Sequence, residues 1–213
     1  MSQRINETRR EYLYGALSEA DLESNPLAQF EHWLAQAQQA EILDFNAMAL
    51  ATADAQGHPT VRTVLLKGFD ADGFRWFTDT GSEKGQALDE NPRAELLFHW
   101  RELDRQVRIR GPVFRLPEGE VDDYFYSRPL TSQIAAATSQ QSQPIDDRDT
   151  LVQAYDRQQA EVVDRIARPE RWGGYALAPT QYEFWQGRAG RLHDRLQFTL
   201  DDAGGWRMKR LQP

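Results

Sequence analysis

The strongest constraint on the fold is a series of short apolar segments separated by tight turns. Two of these turns are Asp54-Ala55-Gln56-Gly57 and Asp70-Ala71-Asp72-Gly73. Aspartate followed closely by glycine is typical of hairpin turns, because glycine readily adopts the positive φ that such turns need. The pattern therefore predicts an antiparallel barrel or sandwich. The predicted strands are residues 47–53, 61–69, 74–78, 94–100, 106–115, 174–178, 181–185, 192–200 and 206–211.

Helices are predicted between these strands. Asn25 followed by Pro26 is a helix start, with Asn as the N-cap and Pro in the first turn. Further helices are predicted at residues 82–91, 118–126, 130–138 and 147–166. The polar residues 1–25 are predicted to form a flexible N-terminal arm, and residues 26–213 a single domain with inserted helices.

The composition excludes several classes of protein. The 213 residues carry a formal net charge of −8, which argues against a nucleic-acid partner, since neutralising phosphates needs a basic surface. Cysteine is absent, so disulfides, thiolate zinc sites and cysteine nucleophiles are excluded. The four histidines lack metal-binding spacing, and no segment predicts a signal peptide or a membrane span. We therefore expect a soluble cytoplasmic protein without a metal site.

Two segments concentrate positive charge on predicted strands. In residues 185–195, Arg191, His193 and Arg195 alternate, so on a strand they would share one face suited to a planar anionic ligand. The alternative is a solvated edge strand whose charges prevent aggregation. In the second segment Arg62 and Lys67 would lie on opposite faces and could serve two anions. The alternative there is that each charge simply ends a barrel strand.

Both segments carry a resemblance to a known family. The run Trp185-Gln186-Gly187 followed by Arg191-Leu192-His193-Asp194-Arg195 closely resembles the C-terminal signature of the pyridoxine/pyridoxamine 5′-phosphate oxidases. These are FMN enzymes of vitamin B6 metabolism. The run Arg62-Thr63-Val64-Leu65-Leu66-Lys67 resembles the principal FMN motif of that family. The resemblance extends from Arg9 to the C-terminus and implies an antiparallel FMN-binding split β-barrel.

The resemblance implies a set of cofactor-binding residues spread along the chain. Lys84 at a helix start suits a phosphate, because free backbone N–H groups and an ammonium both attract it. Glu83 departs from the family, which has an arginine there, and we expect its carboxylate to face solvent or pair with a cation. The implied FMN residues are Arg62, Thr63, Val64, Leu65, Leu66, Lys67, Phe77, Thr78, Glu83, Lys84, Gln106, Gln141, Ser142, Trp185 and Arg195. In the family, the pair Gln141-Ser142 commonly comes from the neighbouring subunit.

The substrate residues implied by the resemblance form a second set. A hydroxyl, a guanidinium and a second hydroxyl can satisfy several oxygens of one phosphate. The implied substrate residues are Lys67, Tyr124, Arg128, Ser132, Arg191, Leu192 and His193, with Arg9 and Tyr12 in a segment that can close as a lid. Arg191, His193 and Asp44 are the implied catalytic residues; the alternative for Asp44 is a turn residue.

The implied activity is oxidation of pyridoxamine 5′-phosphate or pyridoxine 5′-phosphate to pyridoxal 5′-phosphate. Dioxygen is the expected acceptor and hydrogen peroxide the expected product, in a homodimer with FMN at its two-fold interface. One alternative is a related flavin oxidase acting on another aromatic ring, as in phenazine pathways. A second alternative is a module that binds FMN or pyridoxal phosphate without turnover.

Overall fold

The structure is a computed structural model that describes Tyr12 and residues 15–213. Arg9 and most of the predicted lid segment lie outside the described residues. The α-helices are α1 Pro26–Gln39, α2 Glu83–Glu90, α3 Glu118–Ser127, α4 Leu130–Thr138 and α5 Arg148–Glu161. The strands are β1 Ala47–Ala53, β2 Pro59–Leu65, β3 Gly68–Asp70, β4 Gly73–Asp79, β5 Arg93–Trp100, β6 Arg105–Arg115, β7 Trp172–Leu177, β8 Gln181–Gln186, β9 Asp194–Leu200 and β10 Trp206–Leu211.

The described residues form mainly antiparallel strands with helices between them, which confirms the predicted fold class. Contacts divide the chain into two compact units. The first unit comprises residues up to 49, 95–110 and 179–213, and the second comprises residues 50–94 and 111–178. No helix in the part of the chain that the structure describes is long and apolar enough to cross a membrane.

The first unit is built on the antiparallel series β6, β8, β9 and β10. Helix α1 packs on it through aromatic contacts, with Trp33 edge-on to Phe184 at a ring separation of 5.3 Å. The helix starts where the sequence predicts, because the Asn25 side chain accepts a hydrogen bond from the Leu27 N–H at 2.9 Å. Phe30, one helical turn before Trp33, is fully buried against Phe98.

The second unit pairs β3 with β4, β4 with β7, and β7 with the last part of β6. An apolar cluster joins these strands to α3 and consists of Leu116, Val121, Phe125, Trp172 and Ala176. Gly174 lies opposite Phe77, and a Cβ there would come within 2.8 Å of the Phe77 ring. Only glycine at this position leaves the Phe77 ring where it is.

Two predicted elements differ from the structure by more than two residues at one end. The predicted strand 61–69 is wrong as a single element: β2 ends at Leu65, Leu66 is buried, and the Lys67 N–H donates to Arg75 O. The predicted helix 147–166 ends instead at Glu161. Two β-branched valines follow, which are weak helix formers, and leaving the helix lets Ile166 pack on the apolar cluster of α3 and β7.

Candidate active site

A cleft of about 670 Å³ lies within the second unit. It brings together nine of the predicted FMN residues and all four of the residues predicted to bind the substrate phosphate. The predicted residues that line it are Arg62, Thr63, Val64, Leu65, Lys67, Phe77, Thr78, Lys84, Tyr124, Arg128, Ser132 and Gln141. Arg62 and Lys67 therefore line the same cleft, although sequence alternation had placed them on opposite faces of one strand.

Arg62 is held rigidly on one wall of the cleft. Its Nη1 donates to Thr52 Oγ1 at 2.8 Å and to Leu50 O at 3.2 Å, and its Nη2 donates to Thr60 Oγ1 at 2.5 Å. Burial lowers the pKa of Arg62, and the negative charge of Glu83 partly opposes this. The guanidinium stays charged in this setting, because the ordinary pKa of arginine is so high.

Lys84 lies beside Arg62 in the first turn of α2. Its Nζ donates to Gln141 Oε1 at 2.9 Å and to the hydroxyls of Thr78 and Ser82 at 3.2 Å each. Burial, followed by the positive charge of Arg62, lowers the pKa of Lys84, and the negative charge of Asp79 partly opposes this. Among the described residues the ammonium has only neutral hydrogen-bond acceptors, and two neighbouring cations in this setting form a site that favours an anion.

The backbone holds Lys84 in place through Gly85. A Cβ on Gly85 would lie 2.1 Å from the carbonyl oxygen of Thr80, so no other residue fits without moving the turn before α2. This contact fixes the start of the helix against the end of β4, where Thr78 lies. The α2 N-terminus and the Thr78 hydroxyl are thereby brought to the same point of the cleft.

Gln141 reaches this point from the loop after α4. Its Oε1 accepts from both Lys84 Nζ and the Thr78 hydroxyl, the latter at 3.0 Å. The structure places Gln141 in the cleft of its own chain. That this residue joins the FMN site of a neighbouring subunit, as is common in the family, stays a prediction. Ser142, the second member of the predicted pair, is exposed with φ 68° and does not line the cleft.

Glu83, the residue that departs from the family pattern, pairs with Arg62. Its Oε2 lies 3.8 Å from Arg62 Nη2, and its side chain is 64% exposed. The expectation that this carboxylate would face solvent or pair with a cation is confirmed. Leu66, which the motif also included, is buried and is not among the residues that line the cleft.

Arg128 forms a second cationic point in the cleft, at the end of α3. Its guanidinium lies 5.0 Å from the centre of the Trp172 ring and 5.9 Å from that of Phe125. Its Nη1 is buried and has no hydrogen-bond partner in the part of the chain that the structure describes. Burial lowers the pKa of Arg128, and Tyr124 opposes this. A buried N–H donor without a partner costs free energy, which an anionic ligand would recover.

Aromatic rings connect the two cationic points. Phe77 stacks on Tyr124 with 4.0 Å between ring centres and on Trp172 with 5.5 Å. Phe77 is followed directly by Thr78, which bonds to Lys84, while Tyr124 lies one helical turn before Arg128. The stacked rings thus lie between Lys84 and Arg128 and form part of the same cleft.

Other predicted residues lie in the first unit, where three of them form a row across neighbouring strands. Gln106 on β6 pairs in register with Trp185 on β8, and Trp185 pairs with Arg195 on β9. Arg195 is oriented by the buried Glu183, whose Oε1 accepts from its Nε at 2.9 Å. The family resemblance assigned all three residues to the flavin, and the antiparallel register makes them neighbours in the sheet.

His193 lies beside this row. Its ring centre is 4.7 Å from that of Trp185 and 5.0 Å from that of Tyr12. Its Nδ1 accepts the backbone N–H of Arg188 at 3.0 Å, so the neutral imidazole carries its proton on Nε2. Burial and then the positive charge of Arg191 lower the pKa of His193, and Asp194 partly opposes this.

The expectation that Arg191, His193 and Arg195 share one strand face is wrong. Gly190 and Arg191 have φ angles of 65° and 63° in a short 3-10 turn, and β9 starts only at Asp194. Arg191 and Leu192 are exposed on this turn.

Asp44 is also exposed, in a turn with φ 53°, and its carbonyl accepts the Ala47 N–H at 2.7 Å.

Sequence reasoning missed three residues near the cleft. Trp172 lines it and carries the Arg128 guanidinium. Asp79, which lines it too, is buried and accepts from Arg171 Nε at 3.0 Å. Asp79 directly follows the predicted Phe77-Thr78 pair, which is the one signal that could have found it. Arg171 gave no signal, because its partner is 92 residues away in the sequence.

Comparisons with known proteins identify the family. Residues 34–160 match the family model described as pyridoxamine 5′-phosphate oxidase. Residues 172–213 match the model described as the pyridoxine 5′-phosphate oxidase C-terminal dimerisation region. Together these models cover both the cleft residues of the second unit and the Gly187–Arg195 segment of the first.

Relatives that align with almost the whole of this chain agree with this result. The chain is 47% identical to the pyridoxine/pyridoxamine 5′-phosphate oxidase of Janthinobacterium sp. strain Marseille, over 98% of this chain and 99% of the relative. It is also 47% identical to the chloroplastic pyridoxine/pyridoxamine 5′-phosphate oxidase 1 of Arabidopsis thaliana, over 98% of this chain and 40% of the relative.

Solved structures show the same fold. PhzG from Burkholderia lata, in complex with tetrahydrophenazine-1-carboxylic acid, is 33% identical with a TM-score of 0.88, over 94% of this chain and 99% of that chain. A pyridoxamine 5′-phosphate oxidase-related FMN-binding protein from Nostoc punctiforme has a TM-score of 0.73 at 17% identity, over 90% and 100% of the two chains, and shows the fold alone. The chain is a split β-barrel protein that belongs to the pyridoxamine 5′-phosphate oxidase family.

Proposed function

We propose that this chain is an FMN-dependent oxidase that converts pyridoxamine 5′-phosphate and pyridoxine 5′-phosphate to pyridoxal 5′-phosphate. The observation that carries the proposal is that one cleft holds two separate sets of groups suited to a phosphate. Arg62 and Lys84 form one set, and Arg128 with the hydroxyls of Tyr124 and Ser132 forms the other. A phosphorylated cofactor acting on a phosphorylated substrate needs both.

The first set fits the phosphate of FMN. Lys84 stands at a helix N-terminus beside Arg62, and its present hydrogen-bond acceptors are all neutral. A phosphate would replace one of these neutral acceptors with a charged one, and charge-assisted hydrogen bonds are stronger. Gln106, Trp185 and Arg195 are assigned to the flavin ring by the family resemblance.

The second set fits the phosphate of the substrate. The buried Nη1 of Arg128 lacks a hydrogen-bond partner among the described residues, and the guanidinium lies over the Trp172 ring, 5.0 Å from its centre. The planar fork of a guanidinium is pre-organised, so it loses little conformational entropy for each hydrogen bond that it forms with a phosphate. Lys67, which is exposed and lines the cleft, adds a second positive charge for the substrate phosphate.

FMN held by these residues would supply the oxidising chemistry, as the acceptor of a hydride from the substrate C4′ carbon, with dioxygen as the final oxidant and hydrogen peroxide as the product. The residues of the chain bind and orient. Anchoring the phosphate at Arg128 fixes the pyridine ring, and fixed orientation lowers the barrier. His193 holds a proton on Nε2 in its neutral form and, with Arg191, is assigned to the polar substituents of the ring.

The alcohol and amine substrates differ in their balance of atoms. Pyridoxine 5′-phosphate loses two hydrogens to dioxygen and gives the aldehyde directly. Pyridoxamine 5′-phosphate gives an imine, which water hydrolyses to the aldehyde and ammonia.

Asp44 is an exposed turn residue, and its proposed catalytic role stays a prediction.

We also propose that the active form is a homodimer, because residues 172–213 match the dimerisation region of the family. A cytoplasmic location stays a prediction.

Peroxide formation by the purified protein distinguishes the candidate functions. With FMN bound, we expect peroxide and pyridoxal 5′-phosphate when pyridoxine 5′-phosphate is added. Unphosphorylated pyridoxine should react far more weakly at the same concentration, because it leaves Arg128 without an anion. Turnover of tetrahydrophenazine-1-carboxylic acid in preference to the phosphorylated substrate would instead support the phenazine-type reading that PhzG suggests. Bound FMN without peroxide from any of these compounds would support a binding module.

A further inference from the structure

An ion pair between the buried Asp79 and the partly exposed Arg171 lies next to Lys84 and Thr78 in the cleft. Asp79, at the end of β4, is 4% exposed, and its Oδ2 accepts from Arg171 Nε at 3.0 Å. The other oxygen, Oδ1, accepts the Gly81 N–H at 2.8 Å in the turn that leads to α2. Both carboxylate oxygens of Asp79 therefore accept hydrogen bonds within the chain.

Arg171 connects this carboxylate to the end of α4. Its Nη2 lies 3.2, 2.7 and 2.9 Å from the carbonyl oxygens of Ala136, Ala137 and Ser139. The last carbonyls of a helix have no partner within the helix, and a cation placed there satisfies them. One guanidinium thus ties the C-terminus of α4 to the end of β4.

The loop that follows α4 carries Gln141. The Gln141 N–H lies 3.4 Å from Asp79 Oδ2, and the Gln141 side chain accepts from Lys84 and Thr78. A continuous series of contacts therefore runs from Arg171 through Asp79 and the α4 end to Gln141 and then to the Lys84 ammonium. Neither Asp79 nor Arg171 belongs to the FMN residues assigned above.

We infer that Asp79 and Arg171 are positioning residues, which set the place of Gln141 and through it the Lys84 ammonium that receives the FMN phosphate. The inference rests on the proposed function. The carboxylate needs such a role to explain its location, because a negative charge beside Lys84 on its own opposes the binding of a phosphate. Arg171 offsets that charge and at the same time fixes the loop.

Asp79→Asn distinguishes a positioning role from a purely electrostatic one, because the two predict opposite changes in FMN affinity. The substitution removes a negative charge near the phosphate set, so electrostatics alone predicts tighter FMN binding. An asparagine has one acceptor oxygen, so it cannot accept hydrogen bonds on two separate oxygens from the Gly81 N–H and from Arg171 Nε, as Asp79 does. Positioning therefore predicts weaker binding, by about three- to tenfold for the loss of a buried hydrogen bond.

The experiment is titration of FMN into the apo forms, followed by quenching of the flavin fluorescence. The variants are Asp79→Asn, Gln141→Ala and the double variant. If Asp79 acts through Gln141, its substitution weakens FMN in the wild-type background, and in the Gln141→Ala background it causes no further loss or a small gain. Asp89→Asn is the matched control, since Asp89 pairs with Arg115 in the same unit and does not line the cleft. It should leave FMN affinity unchanged.

Thermal unfolding of each apo form shows whether the fold is retained. If Asp79→Asn does not fold, Arg171→Gln takes its place, and the expected loss of FMN affinity is smaller in the Gln141→Ala background than in the wild type. Equal losses in both backgrounds, or FMN binding by Asp79→Asn as tight as in the wild type or tighter, would overturn the inference. Failure of the wild-type protein to bind FMN would instead overturn the proposed function, and this inference with it.

Discussion

Replacing Arg128 by alanine is the sharpest single test of the second phosphate set. The substitution removes a guanidinium that lies over the Trp172 ring and whose buried Nη1 has no hydrogen-bond partner among the described residues. A hydrogen bond to a charged group contributes roughly 1.5–3 kcal/mol. Since about 1.4 kcal/mol corresponds to a factor of ten, the affinity for the substrate should fall by roughly ten- to a hundredfold.

Steady-state kinetics of the FMN-loaded variant provides the assay. We expect the KM for pyridoxine 5′-phosphate to rise by that factor, while FMN affinity stays close to wild type because Arg62 and Lys84 are intact. Arg128→Lys should show a smaller increase, since the charge remains but the planar fork is lost. Arg115→Ala is the matched control, because Arg115 lies in the same unit outside the cleft and should leave KM unchanged.

Two results would refute this reasoning. An unchanged KM in Arg128→Ala would show that the substrate phosphate binds elsewhere. Loss of FMN with unchanged substrate affinity would show that Arg128 belongs to the cofactor phosphate, so that the two sets have been assigned the wrong way round.

Three further predictions concern the other charged groups and the assembly. Lys84→Ala should weaken FMN binding more than Glu83→Ala does. Glu83→Arg should leave FMN affinity unchanged or improve it at low salt, because the exposed Glu83 only offsets the charge of Arg62. FMN titration measures these affinities, and a large loss in Glu83→Ala would contradict the prediction. The lowered pKa of His193 means that its contribution to stability is present above its unfolded pKa of about 6.5 and is lost as pH falls through the folded value. His193→Gln can still accept the Arg188 N–H without titrating, so its melting temperature should fall less than that of the wild type between pH 7 and pH 5, and parallel curves would count against the assignment. FMN should also stabilise the dimer by mass action, so a monomer with full FMN affinity in analytical ultracentrifugation would remove the proposed interface role.

The strands and turns of this chain could be predicted because local chemistry determines them. Asn25 with Pro26 starts α1, and the bounds of β1 and β10 are those read from the sequence. Errors arose where tertiary packing overrides local preference. Burial of Leu66 breaks the predicted second strand, and packing of Ile166 accompanies the early end of α5.

The candidate site could be predicted only as far as motifs name its members. Arg62, Lys84 and Arg128 were recognised from short motifs, and the structure brings them to one cleft. Arg171 could not be recognised, because its function depends on Asp79 and on helix carbonyls far away in the sequence. The positive φ of Arg191 was missed for a similar reason, since a non-glycine residue rarely adopts it and no local signal marks it.

The central claim is that one cleft binds two phosphates through two separate sets of residues. A crystal structure of the protein with FMN and pyridoxal 5′-phosphate tests it most directly. We expect the FMN phosphate within hydrogen-bond distance of Lys84 and Arg62, and the phosphate of pyridoxal 5′-phosphate within hydrogen-bond distance of Arg128 and Ser132. Both phosphates at one set, or the two ligands at exchanged positions, would contradict it.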